Sequence, residues 1–222
     1  MDAEDDRMTG TWPTVRHPIF ARFQARFAKH AEALGAADHR HEALADLHGR
    51  VLEIGAGSGT NFRHYPSGVD EVVAVEPEPY LRGLATGAAR DAPVTVTVVD
   101  GVAESLPLPD ASVDAAVAAL VLCSVADQAT ALAELRRVLR PGGELRFYEH
   151  VRATEPRLAR WQRRLDRWLW PRLAGGCHTS RDTAAAISAA GFEIQRCRSF
   201  SFRPSILAAP VSPMIIGRAR RP

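Results

Sequence analysis

A strand-like apolar run enters a glycine-rich turn at Val51-Leu52-Glu53-Ile54-Gly55-Ala56-Gly57-Ser58-Gly59. Glycine there lets the backbone take positive φ and approach a ligand closely, because no Cβ stands in the way. The spacing separates two ligand chemistries. A dinucleotide loop reads G-x-G-x-x-G, its third glycine opening a phosphate-binding helix; counted from Gly55, that third position is Thr60. The pattern is instead E-x-G-x-G-x-G. A carboxylate at Glu53 repels a pyrophosphate but tolerates a cationic, amino-acid-bearing ligand, which weighs against a nicotinamide oxidoreductase. A second acid, Glu76, follows 23 residues later in Val75-Glu76-Pro77, and one carboxylate can accept from two adjacent hydroxyls. Cys123-Ser124 and Glu149-His150 end later apolar runs. His150 is expected to accept a proton near neutral pH, as a catalytic or acceptor-positioning group, or else only to cap local structure.

These residues need elements to hold them. Apolar runs at 50–54, 71–75, 94–99, 113–122 and 144–148 alternate with helical periods such as 81–90 and 129–139. Such alternation predicts βαβ units and a parallel sheet, with ligands outside the carboxyl ends of the strands. Late strands near 192–198 and 214–219 bring the expected total to seven. The expected fold is α/β: a Rossmann-like, mostly parallel seven-stranded sheet with helices on both faces and a helical lid. A helix is expected to begin near Thr60. Phe20, Phe23, Phe27, Ala31 and Leu34 recur at helical steps, predicting a helix that Gly35 stops, with a second over about 41–47. In the insertion at 152–178, Leu158, Trp161, Leu165, Trp168 and Leu169 share one helical face and Arg160, Arg163, Arg164 and Arg167 the other. That pattern predicts an apolar lid with a solvated arginine face, hinged at Gly175-Gly176; a basic amphipathic helix also suits a membrane surface.

Taken together, these motifs resemble those of class I S-adenosylmethionine-dependent methyltransferases, in the small-molecule branch grouped with quinone-biosynthesis methylases. The likeness spans most of 18–222. It implies S-adenosylmethionine as cofactor, with Glu53, Gly55, Gly57, Gly59 and Asn61 around it and Glu76, followed by Pro77, on both ribose hydroxyls. The stretch from Asp100 to Asp110 is similar to the family's third-strand motif, but Val102 stands where many relatives have the adenine-contacting aspartate. Backbone at Ala103, Asp100 or Glu104 then takes that role. Leu120 and Ser124 fall where the family approaches the methionine part. Leu120-Val121-Leu122-Cys123-Ser124-Val125 and Glu149-His150-Val151 also resemble membrane-associated vertebrate alkyl-thiol methyltransferases, whose amino-terminal anchor is not expected here. The implied acceptor is a small, largely apolar thiol, hydroxyl, amine or activated carbon, with His150 and Glu149 as catalytic candidates. Alternatives are a phospholipid or quinone-precursor methyltransferase at a membrane surface, and a cofactor-sensing module without turnover.

Composition narrows the classes. A net charge of +2 on 222 residues gives no reason to expect a nucleic-acid partner, and 46% hydrophobic residues argue against disorder. Lys29 is the sole lysine, read as a genomic bias towards arginine. Cys123, Cys177 and Cys197 are odd in number and show no C-x-x-C pairing, so neither a disulfide framework nor a metal site is expected, and a cytoplasmic location suits them. No apolar run reaches the ~20 residues that span a bilayer. Residues 1–17 read as an acidic leader and 18–222 as one domain, with amino-terminal helices over 18–48.

Overall fold

The computed structural model describes residues 17–222, so nearly all of the expected leader lies outside the described residues. Seven strands form one sheet: β1 (Gly49–Ile54), β2 (Val69–Val75), β3 (Thr95–Val99), β4 (Val113–Ala119), β5 (Leu139–His150), β6 (Glu193–Ser201) and β7 (Pro213–Arg220). Their order is β3-β2-β1-β4-β5-β7-β6. The first five pair in parallel, whereas β7 runs antiparallel between β5 and β6. From β1 the chain winds outward to β2 and β3, then returns to the other side as β4. The crevice between β1 and β4 is thus a topological switch point, the place where open α/β sheets take ligands.

Alternation along each strand divides the core. Leu52, Ile54, Val73 and Val75 pack on one face with Leu132 and Leu135 of α4 (Gln128–Val138) and Ile187 of α7 (Thr183–Ala189). Val51, Val72 and Ala74 pack on the other with Leu44 of α2 (Ala37–Leu44) and Ala85 of α3 (Pro79–Ala89). By the same two-residue period Glu53 shares the α2 face with Val51. The helices start on side-chain caps: Glu78 accepts from the Leu81 amide ahead of α3, and Asp127 from the Ala129 and Thr130 amides ahead of α4.

Three expectations are corrected. Gly35 breaks the first helix as expected, taking φ +109° at a kink after α1 (Pro18–Ala31), but α2 spans Ala37–Leu44 rather than about 41–47. No α-helix follows the glycine turn; one 3-10 turn (Phe62–His64) ends at an extended Tyr65, because Pro66 excludes the helical conformation from the residue before it. The third concerns α5 (Pro156–Trp168). Its buried residues are Ala159 and Gln162, while Trp161 and Trp168 are 44% and 68% exposed. Gln162 accepts from the Ala153 amide and donates to the Pro210 carbonyl, each at 2.8 Å, and Asp166 accepts from the Thr179 and Ser180 amides. Buried backbone groups require partners, and these two polar side chains supply them. The stripe of Ala159, Gln162 and Asp166 therefore faces inward and the tryptophans face out, while Arg160, Arg163, Arg164 and Arg167 are exposed as expected.

Candidate functional site

At the carboxyl end of β1 the backbone turns through Gly55, Gly57 and Gly59 at φ +60°, +58° and +76°. A Cβ at Gly59 would stand 2.7 Å from the Phe62 ring and 2.9 Å from Ala88 Cβ. Gly59→Ala combines the left-handed penalty of about 1–2 kcal/mol with overpacking of about 1–3 kcal/mol. The midpoint of thermal unfolding should then fall by roughly 5–15 °C, scaled from ~2–4 °C per kcal/mol for a chain of this size. An unchanged melting profile would show that the turn has room to spare.

Glu76, at the end of β2, closes over this turn. One carboxylate oxygen accepts from the Gly57 amide at 2.7 Å and the other from the Glu78 amide at 2.9 Å. Burial pushes its pKa up, partly offset by those two amides. Arg82 in α3 fixes the surroundings by donating to the Glu76 and Pro77 carbonyls and to Asp100 Oδ1. Two of the residues offered for the adenine contact are thereby engaged elsewhere. Asp100 is ion-paired with Arg82, and Glu104 accepts from the Ala126 and Asp127 amides in the loop before α4. Ala103 is buried beside them.

Glu53 and Asn61 are brought together, but inside the protein, at 2% and 3% exposure. Tyr65 donates its hydroxyl to Glu53 Oε2 at 2.6 Å, and Asn61 donates to Oε1 at 2.9 Å. Arg40 of α2 donates to Asn61 Oδ1 and to Glu32. Burial raises the Glu53 pKa to about 7 against the opposing pull of Tyr65, Asn61 and Arg40. The polar atoms of these two side chains join the turn to α2, on the face that strand parity assigns to Glu53. Arg40 and Tyr65 carry no motif signal in the sequence and were missed for that reason.

Beyond β4, Leu120 takes φ +61°, a backbone state that a non-glycine residue rarely adopts. Glu149, wholly buried at the end of β5, holds this loop: Oε1 accepts from the Val121 and Leu122 amides, each at 2.9 Å. Burial raises its pKa to about 7. Arg181 clasps the same loop through the Leu122 and Val125 carbonyls. In this structure Glu149 thus positions the loop after β4. His150 is 6% exposed, and burial lowers its pKa to about 4, which favours the neutral ring.

A further correction concerns the cysteines, which the spacing left without partners. His150 Nε2 lies 2.9 Å from Cys177 Sγ, and Cys123 completes a buried group whose ligand atoms all fall within 4.8 Å of one another. Residues 54 apart in sequence meet here, which is why no local pattern shows it. Helix α1 lies across this edge of the sheet. Gln24 is near Gly57, and the Phe20 ring occupies the space beside Gly175, which has φ +57°. Gly176 in turn packs on the Ser124 carbonyl. A groove of ≈ 800 Å³ between α4 and α7 is lined by Asp127, Arg136, Ala186 and Arg221, not by the glycine turn, so chemistry and not volume locates the site.

The strand order, the switch-point glycine turn and the acid ending β2 define a Rossmann-like methyltransferase. Comparison with known proteins agrees. A family model described as a methyltransferase domain matches residues 52–147. Thiol S-methyltransferase TMT1B of Mus musculus is 34% identical over 96% of this chain and 90% of its own length. Human thiol S-methyltransferase TMT1A is 34% identical over 82% and 79%. An S-adenosylmethionine-dependent methyltransferase structure from Thermotoga maritima superposes with a TM-score of 0.66 at 23% identity, covering 92% of this chain and 99% of that one. The chain belongs to the S-adenosylmethionine-dependent methyltransferases, in the family that includes these thiol S-methyltransferases. Its cofactor is S-adenosylmethionine, and the structure offers a fitting cradle: a turn of three positive-φ glycines whose Gly57 amide meets the buried Glu76 carboxylate.

Proposed function

We propose that the acceptor is the thiol of a small, largely apolar molecule and that this chain supplies no general base. The observation that carries the reading is the extent of the likeness to a thiol S-methyltransferase, 96% of the chain, acceptor-side segments included. S-Adenosylmethionine supplies an electrophilic methyl group on a good leaving group. In this reading Glu76 accepts the ribose hydroxyls, the backbone at Gly55, Gly57 and Gly59 makes room for the amino-acid part, Ala103 backbone meets the adenine, and Leu120 and Ser124 flank the methionine portion. Glu149 and Arg181 hold the loop after β4 rigid, which serves alignment of an in-line displacement. A thiol of pKa about 8.5 is already partly thiolate near neutrality.

The rate should accordingly follow the acceptor. With kcat/KM measured against pH, the rise is expected to track each thiol's own pKa and to move to lower pH for a more acidic aromatic thiol. Radiolabelled methyl transfer across thiols, phenols, amines and activated carbons, with products identified by mass, tests the acceptor class. Turnover confined to phenols or amines overturns the thiol reading, and tight cofactor binding with no turnover favours a sensing module.

A second reading is favoured by the outward face of α5 and the residues that follow it. Trp161, Trp168, Leu169 and Leu173 are exposed beside arginines, an arrangement suited to an anionic membrane surface that would deliver apolar acceptors. Among the described residues no helix is long and apolar enough to cross a membrane. Co-flotation with anionic vesicles, lost in Trp161→Ala/Trp168→Ala, is the expected result; no co-flotation of the parent chain removes this reading.

A further inference from the structure

Three groups that ligate soft metals converge at the edge of the sheet, and neither the methyl donor nor the acceptor reading uses them. Cys123 comes from the loop after β4, His150 from the last position of β5, and Cys177 from the loop between α6 (Trp170–Leu173) and α7. They are buried at 0%, 6% and 6% exposure. We propose that Cys123 Sγ, His150 and Cys177 Sγ form a Cys2His site for one thiophilic d10 metal ion, with Zn2+ as the test ion.

Geometry and chemistry both support the site. Zn–S and Zn–N bonds of about 2.3 and 2.0 Å in a tetrahedron put neighbouring ligand atoms roughly 3.5–4 Å apart. The three ligand atoms lie within 4.8 Å of one another, and His150 and Cys177 within 2.9 Å, so small side-chain rotations suffice. Two thiolates and a neutral imidazole balance a dication, and the two thiol protons leave to solvent on binding. Each sulfur also has a neighbour able to stabilise it as a thiolate: the Ser124 hydroxyl 3.3 Å from Cys123 Sγ, and the Trp170 indole N–H donating to Cys177 Sγ at 3.2 Å. Such outer contacts orient and tune metal ligands. His150 Nδ1 is buried with no hydrogen-bond partner among the described residues, leaving the ring free to present either nitrogen. The ion would fasten the loop carrying Cys177 to the ends of β4 and β5 and would keep a fourth position open.

The site does not depend on the acceptor's identity, so it is tested apart from turnover. The full chain is stripped with a chelator under reductant and titrated with Co2+ and Zn2+. One equivalent of Co2+ should bind with a thiolate-to-metal charge-transfer band. X-ray absorption of the zinc-loaded parent chain should show two sulfurs and one nitrogen from the protein, a readout that needs no mutant. Cys123→Ser and Cys177→Ser, checked for folding by binding of the demethylated cofactor, should each lose the band, whereas Cys197→Ser, at an exposed position, should keep it. Zinc held only by nitrogen and oxygen overturns the proposal, as does a band that survives Cys177→Ser. A reduced chain that takes up no metal and on air oxidation forms only a Cys123–Cys177 disulfide also overturns it.

Discussion

Replacing Glu76 with alanine is expected to weaken binding of S-adenosylmethionine and its demethylated product by roughly 10- to 150-fold. That range corresponds to about 1.5–3 kcal/mol for a charged hydrogen bond at 1.4 kcal/mol per tenfold. Two effects act together. The ribose hydroxyls lose their acceptor, and the Gly57 and Glu78 amides lose the carboxylate that now shapes the turn. Calorimetry of both ligands measures the first; thermal unfolding without ligand measures the second. Glu76→Gln is informative because its amide nitrogen would face an N–H donor, so it should also lose affinity although its shape is kept. Unchanged affinity in both variants would take Glu76 out of the ribose role.

The other large effect belongs to Glu149 and depends on pH. Its folded pKa, about 7, stands above the ordinary value of 4.5 because burial penalises the charge. Between these values the folded chain holds a proton that the unfolded chain has released, so its contribution favours folding at low pH and is lost as pH rises to 7. At 1.36 kcal/mol per pH unit the loss is about 3 kcal/mol. Glu53 behaves alike. His150, lowered from 6.5 to about 4, has the opposite sign: the unfolded chain takes up the proton, and stability rises with pH between those values. The two carboxyls together outweigh the one imidazole, so stability of the metal-free parent chain, kept under chelator and reductant, should fall from pH 5 to pH 8 in urea unfolding. Glu149→Gln keeps an oxygen for the Val121 and Leu122 amides and removes the buried charge. It should flatten most of that fall and be the more stable protein at pH 8. Glu149→Ala leaves both amides without an acceptor and should lose several kcal/mol at pH 5, at ~1–3 kcal/mol for each unsatisfied group, and less at pH 8, where the buried charge is removed as well. A Gln variant weaker than the parent at pH 8 would mean that the carboxylate charge itself supports the loop.

The exposed tryptophans of α5 show where reading by pattern stopped. The apolar stripe was legible, but its direction was set by Gln162 and Asp166, which had backbone amides and carbonyls to satisfy in distant loops. Burial of polar backbone outweighed burial of indole. Likewise the acid of the glycine motif was visible at Glu53, yet only strand parity and the arrival of Asn61, Tyr65 and Arg40 gave it a supporting task.

By itself the sequence determined the sheet and the glycine turn, and the resemblance of its motifs to a known family implied the cofactor. The first two rest on local regularities: two-residue alternation in strands, helical periods between them, and residues without a Cβ where backbone must come close. Tertiary structure alone decided which polar groups stay available for chemistry. A carboxylate or imidazole acquires its charge state and its partners from burial and from segments far away in the chain, as with His150, Cys123 and Cys177 meeting at one point, and no local pattern of residues encodes that convergence.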